Sequence, residues 1–392
     1  MKELKEKEQD CKSNAAKITK IDLDLDKLES LKQEIRKPDL IQDELNQLID
    51  EINLKREETQ EQIKEIKNEL LLGETIEFKK IENSSLFGRL IVKTSNFILS
   101  DNCGQLIRCF NQHASFVKSI QVDEKSNRLI SASNDKTIKI CNLATGECLK
   151  TLTDHKHWVT SILIISNNKF VSGSTDKTVK IWDLDSYECL NTLTNESRVV
   201  SLCLISDNQI ACGCGDGSIS IWNLDNLTRV KTFKAHEDWV SYLLSVDNTK
   251  LISCSSEKDK KIKVWNLDTF ECIKELEGHT EVVSYLELTK DSKLLSCSAD
   301  KTVKLWQIET GEELKSIIFD HRVYYVQSVN EDLIAVALGK GDIQIYNFKQ
   351  AEKIKTFEAH SSTICCLNYL PSDGNLLSAT SKGEIKLSKI HD

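Results

Sequence analysis

From residue 113 onward the chain repeats itself seven times, and that period constrains the fold more than any other feature. Equivalent positions lead the repeats at His113, His155, Glu196, His236, His279, Asp320 and His360, at intervals of 42, 41, 40, 43, 41 and 40 residues. Each lead residue is followed by an alternating apolar strand, a polar turn, a short run such as LIS or VSG, an acidic turn, and IKIW or a relative of it. A more polar strand such as ECLKTL or ECIKEL ends the unit. Short apolar runs separated by Asn, Asp, Ser and Gly read as all-β structure. Four strands in about forty residues make one small sheet that cannot bury its faces alone, so neighbours must stack. Radial stacking buries both faces and leaves few open edges.

Residues 1–72 obey a different period. They are rich in Glu, Lys, Gln and Leu, and Ile18, Ile21, Leu25, Leu28 and Ile35 follow a heptad seam. After Pro38 the seam resumes at Ile41, Leu45, Leu48 and Ile52; it weakens where Lys55, Thr59 and Gln62 occupy the same stripe, and Ile66 returns to it. Proline removes a helical donor and clashes with the preceding turn, so two coiled-coil helices are expected, over about 2–36 and 39–72. An amphipathic stripe of this length needs a partner surface. Self-association or capture of a helical partner is the expected use; the competing reading folds the two helices onto each other or onto the next domain. Residues 73–104 then read as a linker with short strands.

Composition narrows the functional classes. A formal charge of −9, with 52 Lys and Arg interspersed among acids, argues against nucleic acid as a partner. There is no apolar run long enough to span a membrane, and the polar start MKELKEKEQD does not read as a signal peptide. The fourteen cysteines fall mostly singly inside apolar runs, as Cys203, Cys254 and Cys297 do, so reduced thiols in a cytoplasmic or nuclear protein are expected. Cys212-Gly-Cys214 and Cys365-Cys366 lack a second pair at zinc spacing, and no nucleotide motif is present, so neither metal nor cofactor is expected.

The stretches SGSTDKTVKIWDL (172–184), SCSADKTVKLWQI (296–308), CGCGDGSISIWNL (212–224) and SCSSEKDKKIKVWNL (253–267) resemble WD40 repeats. The resemblance covers residues 113–392 and implies a seven-bladed β-propeller over 105–392. It also implies that the last three strands need an outer partner from elsewhere, and QLIRCFNQ (105–112) aligns with the outer strands of other repeats. IEFKKIE, RLIVKT and NFILS keep a degenerate eighth blade open as an alternative.

In that family the lead histidine, a strand serine, the turn aspartate and a strand tryptophan form a buried network. Carried over by position, the sets are His155, Ser172, Asp176 and Trp182; His236, Ser253, Asp259 and Trp265; and His279, Ser296, Asp300 and Trp306. The first repeat keeps His113, Ser131 and Asp135 but has Cys141 in place of tryptophan. The third has Glu196 and Cys212, the sixth Asp320, Lys340 and Tyr346, and the seventh Lys382 and Ser388. A catalytic set is needed once, whereas these recur at the repeat period, so bracing is expected rather than catalysis.

Function is then expected in the loops. The resemblance implies peptide or protein binding on the face carrying the lead residues and acidic turns. Three residues after each lead position stand Phe116, Trp158, Val199, Trp239, Val282, Val323 and Thr363, and aromatic anchors dominate interface energetics. Arg198 and Arg322 are suited to an acidic or phosphorylated peptide, and Asn134, Thr175, Gly215 and Ala299 precede turn aspartates on the same face. The expected function is a non-enzymatic interaction scaffold, in a layout that resembles substrate-recruiting WD40 proteins of ubiquitin ligases. The alternative is a signalling subunit like the G-protein β family.

Overall fold

Blade 2 shows how one repeat becomes one sheet. Its strands Val159–Ile165, Lys169–Ser174, Thr178–Asp183 and Cys189–Thr194 are hydrogen-bonded in that order, antiparallel throughout. The second strand, KFVSGS, is buried at every residue after its first, because the neighbouring blades cover both of its faces. The outer strand, CLNTLT, faces solvent along most of its length and carries the polar residues. The computed structural model describes residues 103–110, 113–165, 168–256 and 258–390. The helices expected over 1–72 lie outside the described residues, as does the expected linker apart from Cys103 and Gly104.

Seven such four-stranded sheets follow one another, and the innermost strand of each lies against that of the next. The last innermost strand, Ile364–Leu370, lies against the first, Val117–Asp123, so the circle closes on seven blades and the eighth-blade alternative falls away. Closure uses the segment that aligned with an outer strand. Leu106–Cys109 pairs antiparallel with Ile385–Lys389, with Leu106 opposite Ser388. Arg108 ties this strand forward to blade 1, donating from Nη1 to the Leu143 carbonyl at 2.9 Å.

The blades share two irregularities that a simple strand pattern does not show. Each innermost strand bulges after its first residue, between Val159 and Ser161 in blade 2 and at the matching place in every other blade. A second register shift falls at the tryptophan position, as at Trp182, Trp222, Trp265 and Trp306. Bulges increase local twist, which suits sheets that must splay from a central channel.

The core sits between blades rather than within them. Ile130, Ile138 and Ile140 of blade 1 pack with Val159, Phe170 and Trp182 of blade 2, and Val264 and Leu276 of blade 4 with Leu294 and Trp306 of blade 5. One turn shows how closely blades approach. Gly217 has φ +81°, and a Cβ there would lie 2.1 Å from the His236 carbonyl of the next blade, so only glycine fits.

Candidate functional site

The polar sets are best read from the aspartate outward. Asp176 opens the turn before the third strand, and its Oδ1 accepts the Thr178 amide at 2.9 Å and the Thr178 hydroxyl at 2.6 Å. Its Oδ2 accepts the Lys156 amide at 2.9 Å and faces His155 Nδ1 at 2.9 Å. His155 Nε2 lies 2.7 Å from Ser172 Oγ, which accepts the Trp182 indole N–H at 2.8 Å. Every group is satisfied if Nδ1–H donates to the aspartate and Nε2 accepts the serine proton. Burial pushes the Asp176 carboxyl up, but hydrogen bonds from His155, Thr178 and the Lys156 amide hold it well below the usual carboxylate range.

The same contacts recur with His279, Ser296, Asp300 and Trp306, at 2.7–2.8 Å. His236, Ser253, Asp259 and Trp265 come together at 2.6–2.8 Å despite the longer acidic turn. In blade 1, His113 bonds Asp135 and Ser131 at 2.8 Å each, and Cys141 is buried where the indole would stand. Ser172, Ser253 and Ser296 are fully buried, so no substrate reaches a hydroxyl there. The geometry is that of bracing.

Three blades depart from the sequence-based assignment, each for a physical reason. The lead position of blade 3 is Asn195, not Glu196. Asn195 is buried and its Oδ1 accepts the Trp222 indole N–H at 3.1 Å, whereas Glu196 stands in solvent and pairs with Arg229. In blade 6 the lead position is likewise Phe319, not Asp320; Phe319 packs against Tyr346 at 5.4 Å between ring centroids, over Val336. In both blades the exposed acid stands one place past the buried lead residue. In blade 7 the acid is not lost to Lys382: Glu384, two residues on, reaches His360 Nδ1 at 3.1 Å, and His360 Nε2 lies 2.8 Å from Ser378 Oγ.

The one-residue correction also reorders the face on which binding was expected. Val199 and Val323 are fully buried and equivalent to Val159, so the residues matching Trp158 are Arg198 and Arg322. A single hydrogen bond marks the equivalence. The Trp158 carbonyl accepts the Thr175 amide at 2.9 Å, and the carbonyls of Phe116, Arg198, Trp239, Val282, Arg322 and Thr363 accept the amides of Asn134, Gly215, Ser256, Ala299, Gly339 and Ser381. This ring of paired positions surrounds the channel mouth.

Phe116, Trp158 and Trp239 are 41%, 41% and 39% exposed, unusual for such large rings. Trp158 lies against His157, whose Nδ1 meets the Thr175 hydroxyl, and Lys118 sits over the Phe116 ring at 5.4 Å. Arg198 and Arg322 are exposed, and among the described residues neither has an ion-pair partner. Each stands above a glycine, Gly215 or Gly339, so the turn beneath projects no side chain toward it. Ala299 and Thr175 are half-buried on the same ring.

Below the mouth the channel wall is uneven. Ser119 and Ser161 accept backbone amides of the following blade, while blades 4, 5 and 6 place Tyr242, Tyr285 and Tyr325 at that level, with centroids 4.4 and 3.6 Å apart. Glu287, next below Tyr285 on the same side of its strand, accepts the Ser328 amide and Gln327 Nε2 of blade 6 at 2.8 and 2.9 Å. Burial pushes its carboxyl up to about 7 against the Ser328 hydrogen bonds. Tyrosine holds this repeat position only in blades 4 to 6, and Glu287 stands in blade 5 alone, so neither belongs to the pattern that all the repeats share.

These features define a repeat-built propeller whose polar sets are scaffold and whose mouth carries the exposed side chains. The WD domain, G-beta repeat family matches residues 104–142, 146–183, 187–223, 227–266, 270–307 and 351–387, and the chain belongs to that family. The unmatched stretch, 308–350, covers most of blade 6, the blade whose network is apolar. Partial similarity extends to nuclear distribution protein PAC1 of Candida glabrata, 37% identical over 70 residues, which is 17% of this chain and 15% of that protein. A ribosome biogenesis protein BOP1 homolog of Drosophila melanogaster is 42% identical over 43 residues, 11% of this chain and 6% of that protein. The chain thus spans less than a fifth of these relatives' length.

Proposed function

We propose that the protein is a non-enzymatic interaction scaffold that holds a protein or peptide partner at the channel mouth. The observation that carries this reading is the ring of exposed Phe116, Trp158 and Trp239 with Arg198 and Arg322 on the same face. Large rings left in solvent supply contact area at low entropic cost. The two arginines stand ready for bidentate capture of a carboxylate or phosphate, so an acidic or phosphorylated segment suits the face. The buried histidine and serine sets support the non-enzymatic reading, since their hydrogen-bonding capacity is spent inside the blades.

In the fuller reading, the heptad stripe of residues 1–72 joins the propeller to itself or to a helical partner. Recruitment of substrates to a ubiquitin ligase, in a cytoplasmic or nuclear setting, is one use of such a layout. A G-protein β-like signalling role is the alternative.

The test is recovery of partners from lysate with the wild-type chain and with Trp158→Ala combined with Trp239→Ala. Partner recovery should fall at least tenfold, the effect of about 1.4 kcal/mol, with the thermal midpoint nearly unchanged because both rings are exposed. Undiminished recovery would sink the proposed face.

A further inference from the structure

Blade 1 has a cysteine where blades 2 to 5 have tryptophan, and the residue across the strands from it is a second cysteine. Cys141 lies on the third strand, Ile138–Asn142, directly opposite Cys148 on the outer strand, Cys148–Leu152. A register shift between Ile140 and Cys141 accompanies the pairing, and the Cys148 thiol lies beside that of Cys141, the side-by-side placement from which a cross-strand disulfide forms. Both side chains belong to one hydrophobic cluster, and both are free thiols. In blades 2 and 4 the same outer-strand position holds Cys189 and Cys272, but these face Trp182 and Trp265, so no second sulfur is at hand.

We propose that Cys141 and Cys148 are a redox-responsive pair that closes to a reversible cross-strand disulfide when the protein meets a peroxide. The roles divide by access. Cys148 is half-buried on the outer strand, its Sγ near the Thr151 hydroxyl and the Lys150 carbonyl, and it meets the oxidant first. Cys141 is fully buried, so no dissolved oxidant reaches it. Burial, with the Cys148 thiol beside it, pushes the Cys141 thiol up to about 12, which keeps it protonated until its neighbour changes.

The chemistry balances in two steps. The Cys148 thiolate attacks the peroxide, the O–O bond breaks, and Cys148 becomes a sulfenic acid as hydroxide leaves. The Cys141 sulfur then attacks that sulfenic sulfur, the S–S bond forms, and water leaves with the Cys141 proton. Two thiols lose two electrons, which reduce the peroxide to two waters. A dithiol reductant reverses the bond by exchange. The turn between the two cysteines carries the Leu143 carbonyl that Arg108 of the ring-closing strand grips. The disulfide would therefore staple the turn on which the closing strand rests.

The full chain, reduced and then freed of reductant, is treated with hydrogen peroxide, trapped with iodoacetamide under denaturing conditions and digested with trypsin. Both cysteines fall in one tryptic peptide, Ile140–Lys150, which has no internal Lys or Arg. The expected product is that peptide without alkyl groups and two hydrogens lighter, restored to the doubly alkylated form by dithiothreitol. Cys141→Ser and Cys148→Ser should each abolish the lighter species. The proposal is overturned if the wild-type peptide stays doubly alkylated. It is equally overturned if Cys148 accumulates as a sulfinic acid, or bonds another thiol, while Cys141 remains alkylatable.

Discussion

Blades 5 and 6 are neighbours built from the same repeat, and they hold themselves together in opposite ways. Blade 5 runs a continuous polar chain from Trp306 through Ser296 and His279 to Asp300. Blade 6 replaces the matching positions with Tyr346, Val336 and Phe319, and packs rings and methyl groups instead. Either solution is sound, because a fully satisfied buried network and a fully apolar one both avoid stranded donors. Blade 3 mixes the two. It keeps Trp222 and Asp216 but has Asn195 and Cys212, and the Asn195 amide nitrogen is buried without a partner. The difference teaches that exchanging a whole network leaves nothing stranded, whereas the two exchanges in blade 3 leave one buried amide unpaired.

The largest test truncates the indole in complete and incomplete networks. Trp306→Ala empties a fully buried site and strands Ser296, and should cost about 3–5 kcal/mol in denaturant unfolding. Trp222→Ala removes a ring that is 8% exposed and bonded only to Asn195 through its N–H, so its loss should be smaller by about 1 kcal/mol. Equal losses would break the contrast between the blades.

Acid–base behaviour sharpens the comparison at the channel wall, where Glu287 of blade 5 tethers blade 6 through Ser328 and Gln327. Facing it are Tyr285 of its own blade and Tyr325 of the next, with Tyr242 beyond, all uncharged at neutral pH. Its folded value, about 7, lies above the ordinary 4.5, so the folded state holds the proton more tightly. Stability from this group is therefore complete below about pH 4.5 and declines as pH rises to 7, by about 3 kcal/mol at most. His360 works in the opposite sense. Burial lowers its value against the pull of Glu384, so its contribution is present above about pH 6.5 and declines as pH falls from there. The readout is thus the difference between wild type and Glu287→Gln across pH 5–8. Parallel stability curves would dispose of the assignment.

How much of this was legible beforehand depends on whether a residue repeats. Seven blades, the closing strand from 105–112 and the gathering of His155, Ser172, Asp176 and Trp182 follow from a period that every repeat restates. The misplaced positions are those where the period is matched by the wrong atom. Glu196 and Asp320 are acids sitting one residue past buried Asn195 and Phe319, and spacing alone cannot separate a solvent carboxylate from a lead residue. Glu384 escaped notice because its longer side chain reaches from two places further along. Tyr242, Tyr285 and Tyr325 form a row only once three strands are laid side by side.

The smallest expected effect bears on that one-residue slip. Asn195→Ala deprives the buried Trp222 N–H of its acceptor, but it also deletes the unpartnered amide of Asn195 itself, so the net loss should be about 1 kcal/mol. Glu196→Ala removes only an exposed pair with Arg229, its own side chain 78% exposed, and should change stability by less than about 0.5 kcal/mol. Rebuilding the network gives the converse test. Asn195→His with Cys212→Ser supplies the two missing members beside Asp216 and Trp222 and should gain about 1 kcal/mol. Glu196→His with Cys212→Ser places the imidazole on the solvent side of the loop and should gain nothing. If the second pair stabilised blade 3 and the first did not, the lead position would be Glu196 after all, and Arg198 would lose its equivalence to Trp158 on the proposed binding face.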